Sequence, residues 1–216
     1  MANTVLNRIL EEKIIAIVRG IPSTRIVELA RALLAGGIHC VEVTFDPSDA
    51  QKTADTLAAI RTLRESLGDT ICVGAGTVMT AEQVRLAAEA GAEYMISPNV
   101  NEAVIRETKR LGKVSIPGAM TPTEAEYAYS LGADIIKIFP AGVLGPGYLK
   151  AIRAPLRHIP FTAVGGVTVD NCADFLRAGA VGVAVGGNLV SPTLVEAGRF
   201  EEIRTAASAY VAALHR

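Results

Sequence analysis

Residues 33–43 read LLAGGIHCVEV, a phrase in which a helix-like stretch ends at a glycine and an apolar strand follows at once. The phrase recurs as ESLGDTICVGAG (65–76), AAEAGAEYMIS (87–97), KRLGKVSI (109–116), YSLGADIIKIF (129–139) and LRAGAVGVAVG (176–186). Glycine is typical of the position just after a helix, where its left-handed backbone carries no Cβ strain. The repeat therefore predicts alternating helices and strands.

Two more apolar runs, IIAIV (14–18) and FTAVGG (161–166), bring the number of predicted strands to eight, each followed by a helix. Continuous apolar strands indicate a parallel sheet covered on both faces. Eight such units predict a single (β/α)8 TIM barrel domain over residues 1–216. We expect residues 2–12 to form a short N-terminal helix that closes the bottom of the barrel. A doubly wound open sheet is the alternative, because alternation does not determine closure.

Composition excludes several classes of function. The net charge is −1 over 216 residues, and no stripe of Lys and Arg offers a nucleic-acid surface. The N-terminus is too polar for a signal peptide, and no apolar run approaches the ~18 residues of a membrane span. The three cysteines and three histidines lack metal-site spacing. These features predict a cytoplasmic protein with reduced core thiols, no metal, and neither nucleic acid nor membrane as a partner.

Two charged residues lie inside predicted strands, where a barrel places its chemistry at the carboxyl ends. Lys137 shares a strand face with Phe139, and Glu42 lies in the run CVEVT. Burial lowers the pKa of a lysine, so a neutral amine becomes available to attack a carbonyl and form a Schiff base. A carboxylate in the same dry site gains a raised pKa and is suited to proton transfer. The alternative is a structural Lys–Glu pair, which would stabilise the barrel little.

Glycine pairs end the last two predicted strands, Gly165 with Gly166 and Gly186 with Gly187. Backbone N–H groups in these two loops, aided by a following helix N-terminus, form the usual phosphate site of a barrel. Tight turns are the alternative for each pair taken alone. Other residues at strand ends complete the candidate site. Arg19 is either a clamp for a carboxylate or an ordinary surface arginine. The GAG run (74–76) either gives a ligand close access to the backbone or forms a tight turn, and Thr77 after it supplies a hydroxyl. Pro98 and Val164 are candidate lining residues.

The motifs IIAIVRG, VEVTF, GAGTV, ISPN, PGAMTPTEA, IKIFPA, VGGV and VGGNLV follow one another in this order. The chain resembles the class I aldolases of the 2-keto-3-deoxy-6-phosphogluconate (KDPG) and 4-hydroxy-2-oxoglutarate (KHG) type, and the resemblance extends over nearly its whole length. The resemblance implies a (β/α)8 barrel, commonly a homotrimer. It also implies that Lys137 is the Schiff-base lysine, Glu42 the base, and Thr77 a ligand of the pyruvate carboxylate.

On this resemblance we expect cleavage of a phosphorylated 2-keto-3-deoxy acid of the 6-phosphogluconate type to pyruvate and glyceraldehyde 3-phosphate, without a cofactor. Two departures bear on the substrate. Asp46 stands where many members have a carboxylate-binding arginine, which leaves Arg19 as the candidate cation. Val164 stands where phosphogluconate enzymes often have threonine. The galactonate-type relatives resemble this sequence at both places, with Val-Gly-Gly and without the arginine. The C4-epimeric 6-phosphogalactonate compound or KHG as main substrate, and a non-catalytic phospho-sugar-binding barrel, are the alternatives.

Overall fold

The computed structural model describes residues 2–46, 48–49 and 51–215. Its strands are β1 Ile14–Val18, β2 Cys40–Thr44, β3 Cys72–Gly76, β4 Tyr94–Ile96, β5 Val114–Ile116, β6 Gly118–Ala119, β7 Ile136–Ile138, β8 Phe161–Val164 and β9 Gly182–Val185. Its helices are α1 Ala2–Glu12, α2 Ile26–Ala35, α3 Gln51–Leu67, α4 Ala81–Glu89, α5 Glu102–Arg110, α6 Pro122–Ser130, α7 Ala141–Arg153, α8 Cys172–Arg177, α9 Pro192–Glu196 and α10 Phe200–Leu214.

All strand pairs within the described residues are parallel, in the order β5-β4-β3-β2-β1-β9-β8-β7-β6. The two ends of this series, β5 and β6, follow each other in the chain, so the sheet forms a nearly closed barrel. The predicted TIM-type barrel is confirmed, and the open doubly wound sheet is wrong.

The fifth predicted strand is divided at Pro117, contrary to the expectation of eight continuous strands. Proline has no N–H to donate to a ladder, so pairing is interrupted at this residue. Its carbonyl still accepts a hydrogen bond of 2.9 Å from the Lys137 N–H. The contact helps to hold β7, the strand that carries the lysine, in register.

The core has two layers, one inside the barrel and one between the sheet and its helices. The inner layer includes Cys40, Cys72, Tyr94 and Ile116, and Val5, Leu6 and Leu10 of α1 pack against it. Helix α1 therefore closes the barrel at the end opposite the carboxyl ends of the strands, as predicted. Cys40, Cys72 and Cys172 are buried free thiols.

The helix ends agree with the phasing read from the sequence. Each glycine predicted to follow a helix has a left-handed backbone: Gly37, Gly68, Gly91, Gly112, Gly132 and Gly179. Thr121 and Glu124 form a capping box at the start of α6. None of the described helices has both the length and the apolar character needed to cross a membrane.

Candidate active site

A cavity of about 340 Å³ opens at the carboxyl ends of the strands. It is lined by all of the residues named from the sequence: Arg19, Glu42, Thr77, Pro98, Lys137, Phe139, Val164, Gly165, Gly166, Gly186 and Gly187. The barrel brings these residues together because every strand ends on the same rim.

Lys137 and Glu42 are buried in the wall of this cavity, with 7% and 2% of their surfaces exposed. Burial lowers the pKa of Lys137; the negative charge of Glu42 opposes this effect and the positive charge of Arg19 adds to it. Burial raises the pKa of Glu42, against the positive charges of Lys137 and Arg19. Both shifts favour neutral forms, as expected when charged groups lose water.

The surroundings of the two groups differ from those of a closed structural ion pair. Oε2 of Glu42 is buried and has no hydrogen-bond partner among the described residues. Nζ of Lys137 lies 4.7 Å from the centroid of the Phe139 ring. A pair that served stability alone would bond the buried carboxylate fully, because an unsatisfied oxygen is costly. The arrangement instead leaves a carboxylate oxygen and an amine without full partners beside an open cavity.

The two glycine loops form one wall of the cavity. Gly165 and Gly166 have φ angles of 86° and 75°, a conformation that a residue with a side chain rarely adopts. The side-chain amide of Asn188 donates a 3.0 Å hydrogen bond to the carbonyl of Val167 and so ties the two loops together. In the described part of the chain the N–H groups of Gly166 and Gly187 donate no backbone hydrogen bond outside regular elements. They remain available to an anion.

The expected support from helix N-termini is only partly present. After Gly166 the next helix, α8, begins at Cys172, and after Gly187 the helix α9 begins at Pro192. Both helices are short, with 6 and 5 residues. The loop amides, rather than the N-terminus of a helix, are therefore the feature of this wall that is better suited to an anion.

Thr77 has a left-handed backbone with φ of 55°, although it is β-branched. Such strain persists only when the surrounding structure enforces it, and it is concentrated at functional sites. Thr77 and Arg19 line both the cavity that contains Lys137 and a larger neighbouring cavity of about 430 Å³. The larger cavity is lined by neither Lys137 nor Glu42, the two charged residues that the sequence predicted to carry the chemistry.

Asp46 lies on the wall of this larger cavity and cannot act as a cation. Lys52 contacts it at 2.8 Å, and this hydrogen bond, with those from Ser48, holds the pKa of the Asp46 carboxyl below its usual range. Arg19 is exposed and makes no hydrogen bond or ion pair among the described residues. Its guanidinium lies on the wall that the two cavities share.

Sequence reasoning missed some members of the site. Ile17, Val167, Ala184 and Asn188 also line the cavity. Ile17 and Ala184 could have been identified from the sequence, because side chains along β1 and β9 point alternately into and out of the barrel. The contact between Asn188 and Val167 has no signal in the sequence, because it depends on how two loops meet.

The described residues contain no cluster of three or more His, Cys, Asp or Glu side chains suited to a metal ion.

The geometry agrees with comparisons to known proteins. The family model for KDPG and KHG aldolase matches residues 5–206. This chain belongs to the KDPG and KHG aldolase family. It is therefore related to carbon–carbon lyases.

Two curated relatives of this aldolase are named for different epimers. The chain is 37% identical over 185 residues to the probable 2-dehydro-3-deoxy-6-phosphogalactonate aldolase of Rhizobium meliloti strain 1021, covering 85% of this chain and 84% of the relative. It is 36% identical over 179 residues to the 2-dehydro-3-deoxy-phosphogluconate aldolase of Treponema pallidum, covering 82% and 81%. Sequence identity to these relatives therefore does not show which C4 epimer is the substrate of this chain.

A solved structure of KDPG aldolase from Legionella pneumophila, with pyruvate captured at low pH as a covalent carbinolamine, superposes on this aldolase with a TM-score of 0.85. The two chains are 26% identical, and the match covers 97% of this chain and 98% of that one. The fold assignment therefore rests on a barrel that aligns over nearly its whole length.

Proposed function

We propose that this aldolase cleaves a 2-keto-3-deoxy-6-phospho sugar acid of the 6-phosphogluconate type to pyruvate and glyceraldehyde 3-phosphate through a Schiff base on Lys137. The observation that carries the proposal is the burial of Lys137 and Glu42 in one cavity that is also lined by the two glycine loops. The carbinolamine of the Legionella pneumophila relative supports imine chemistry with pyruvate.

The reaction begins when the neutral amine of Lys137 attacks the C2 ketone and, with loss of water, gives a protonated imine. Glu42 removes the proton of the C4 hydroxyl through a water molecule. The C3–C4 bond then breaks, its electron pair enters the imine to form an enamine, and the aldehyde leaves. Glu42 returns a proton to C3, and hydrolysis releases pyruvate and free Lys137. The lowered pKa of Lys137 and the raised pKa of Glu42 suit these two roles.

The rest of the cavity binds the two charged ends of the substrate. Thr77 and Arg19 hold the carboxylate, since Asp46 is engaged by Lys52 and carries the wrong charge. The N–H groups of Gly166 and Gly187 hold the phosphate. Phe139, Pro98 and Val164 exclude water around the reacting carbons.

The C4-epimeric galactonate compound is a second candidate substrate, and Val164 favours it. Val164 is buried at the end of β8, lines the cavity and offers no hydroxyl to the substrate. KHG lacks the phosphate, and both glycine loops argue against it as the sole substrate. The homotrimer and the cytoplasmic location remain predictions.

Reduction with borohydride in the presence of pyruvate tests the proposal. The peptide that contains Lys137 should gain the mass of a reduced pyruvyl adduct, and Lys137→Met should abolish both the adduct and cleavage. Lys109→Met is the matched control, because Lys109 forms a salt bridge with Asp134 and does not line the cavity. An adduct on another lysine contradicts the assignment.

Rates of cleavage for the two C4 epimers, measured side by side at equal concentration, identify the substrate. A higher kcat/KM for the gluconate epimer supports the proposal, and a higher value for the galactonate epimer replaces it with the second candidate.

A further inference from the structure

The inner face of β3 carries no side chain at Gly74 and Gly76, and each of these spaces is filled from a neighbouring strand. A Cβ at Gly76 would overlap Oε1 and Cδ of Glu42 and would lie 2.5 Å from its Cγ. Heavy atoms of this kind do not approach so closely, so any side chain at position 76 would displace the Glu42 carboxylate. Glu42 lies across β3 because Gly76 leaves the room.

The second space holds the ring of Tyr94. A Cβ at Gly74 would overlap this ring. Tyr94 extends from β4 across β3, and its hydroxyl donates a 2.5 Å hydrogen bond to the carbonyl of Val41 on β2. The ring is fully buried and lies over Gly74, beside the space over Gly76 that Glu42 occupies. It therefore helps to keep water from the carboxylate.

Shape, rather than hydrogen bonding, therefore holds the carboxylate. Oε2 of Glu42 has no hydrogen-bond partner among the described residues. A side chain with this little polar support depends on packing for its orientation. Catalytic groups lose much of their effect when they move by about 1 Å. The orientation of Glu42 is thus sensitive to a single methyl group on β3.

We propose that Gly76 is a positioning residue for the proton carrier: its missing side chain lets the Glu42 carboxylate lie across β3 at the cavity. The inference rests on the proposed role of Glu42 in the aldol cleavage. It was not visible in the sequence, where the GAG run indicated close access of a ligand or a tight turn. In the structure the space at Gly76 belongs to the protein's own carboxylate.

Gly76→Ala tests the proposal, because position 76 has no left-handed backbone and tolerates alanine in that respect. We expect kcat for cleavage to fall by about 10²-fold, since a displaced base loses much of the ~10²–10⁴-fold effect of general-base catalysis. Borohydride trapping of pyruvate on Lys137 should stay within about threefold of the parent. If the parent protein itself forms no trapped adduct with pyruvate, the proposed function is contradicted, and not this inference alone.

Gly147→Ala is the matched control. Position 147 lies on α7, has no atom within 4 Å of its Cβ position and has no left-handed backbone. Cleavage by this variant should equal that of the parent. Cleavage by Gly76→Ala at the parental rate would overturn the proposal.

A pH profile separates positioning from general damage. Glu42 is faced by Lys137 from β7, Arg19 from the loop after β1 and Tyr94 from β4. When the carboxylate moves off β3 towards the open cavity, the acid limb of kcat should shift to lower pH, because the group regains water. An unchanged limb with a lowered kcat would indicate that Gly76 acts in some other way.

The Glu42→Ala background resolves the case in which Gly76→Ala does not fold. Removal of the carboxylate vacates the space, so the double variant Glu42→Ala/Gly76→Ala should fold and should have the residual activity of Glu42→Ala within about threefold. Losses that multiply, or a double variant that is also unfolded, would show that position 76 is intolerant of a methyl group for reasons unrelated to Glu42.

Discussion

Nζ of Lys137 lies 4.7 Å from the centroid of the Phe139 ring, two residues further along the same strand end. The negative face of an aromatic ring stabilises an ammonium group, so this contact favours the protonated lysine. Burial acts in the opposite direction and prevails, since the pKa of Lys137 is lowered. The protonation state of Lys137 is therefore a balance between loss of water, the charges of Glu42 and Arg19, and the neighbouring ring.

Phe139→Leu should shift this balance further towards the neutral amine. Loss of about 0.5–1 kcal/mol of cation–π stabilisation of the ammonium lowers the pKa of Lys137 further. Imine formation requires the neutral amine, so its rate rises with pH through this pKa, and the midpoint of the rise should move to lower pH. The rate of trapping of pyruvate by borohydride, measured against pH, gives the midpoint. Tyr127→Leu, at an exposed aromatic on α6, is the control and should leave it unchanged. A midpoint that moves to higher pH contradicts the role of the ring.

Glu42→Gln should separate imine formation from bond cleavage. The amide keeps the shape of the side chain but cannot accept the proton, which typically costs ~10²–10⁴-fold in rate. The pKa of Glu42 is raised above the ordinary value of 4.5, so in the parent enzyme the base form disappears as the pH falls through that raised pKa. This acid limb should vanish in the variant, while pyruvate is still trapped on Lys137. Glu126→Gln, an exposed position on α6, is the control. Parental cleavage by Glu42→Gln would place the base elsewhere.

The overall fold was predictable because its signals are local and repeated. Each glycine after a helix has the left-handed backbone that the phrase around Gly37 indicated. The continuous apolar character of the strands predicted burial on both faces. The division of the fifth strand at Pro117 was missed, although a proline in a central strand always removes one donor from the ladder. Closure itself is a property of the whole sheet and became visible only from the pairing order.

The candidate site was predictable where a residue conflicts with its surroundings. Lys137 and Glu42 stand out as charges in apolar strands, and the rule that barrels work at their carboxyl ends placed them together. Features that depend on contact between strands left no signal. The space at Gly76 that holds Glu42, and the ring of Tyr94 beside it, cannot be derived from residue order, because the partners are distant in the chain.

Removal of metal ions should leave the reaction unaffected. The protonated imine withdraws electrons from the C3–C4 bond and so supplies the activation that a Lewis-acid metal supplies in other aldolases. After exhaustive dialysis against a chelator, kcat and KM for cleavage should equal those of the untreated enzyme. A loss of activity that a divalent cation restores would indicate metal-dependent chemistry and would contradict the Schiff-base mechanism.

Gly187→Asp should abolish the phosphate site with little effect on the fold. A Cβ at position 187 meets no atom within 4 Å, and the backbone there is not left-handed, so a side chain fits. Gly166 is less suitable, because its φ is 75° and a Cβ would lie 2.9 Å from Gly142. The new carboxylate would face the phosphate dianion, and like charges about 4 Å apart repel by up to about 4 kcal/mol near a protein surface. Cleavage of the phosphorylated substrate should therefore fall by about 10²–10³-fold. Turnover of KHG, which lacks the phosphate, should fall much less.

Gly187→Asn is the matched control for this prediction, because it adds nearly the same bulk without the charge. If repulsion is the cause, the asparagine variant should retain much more activity towards the phosphorylated substrate than the aspartate variant, and the difference should shrink as salt screens the charge. If both variants lose activity towards both substrates in step while circular dichroism remains native, the glycine loops are structural turns. In that case the phosphorylated substrate loses its main support, and KHG becomes the better candidate.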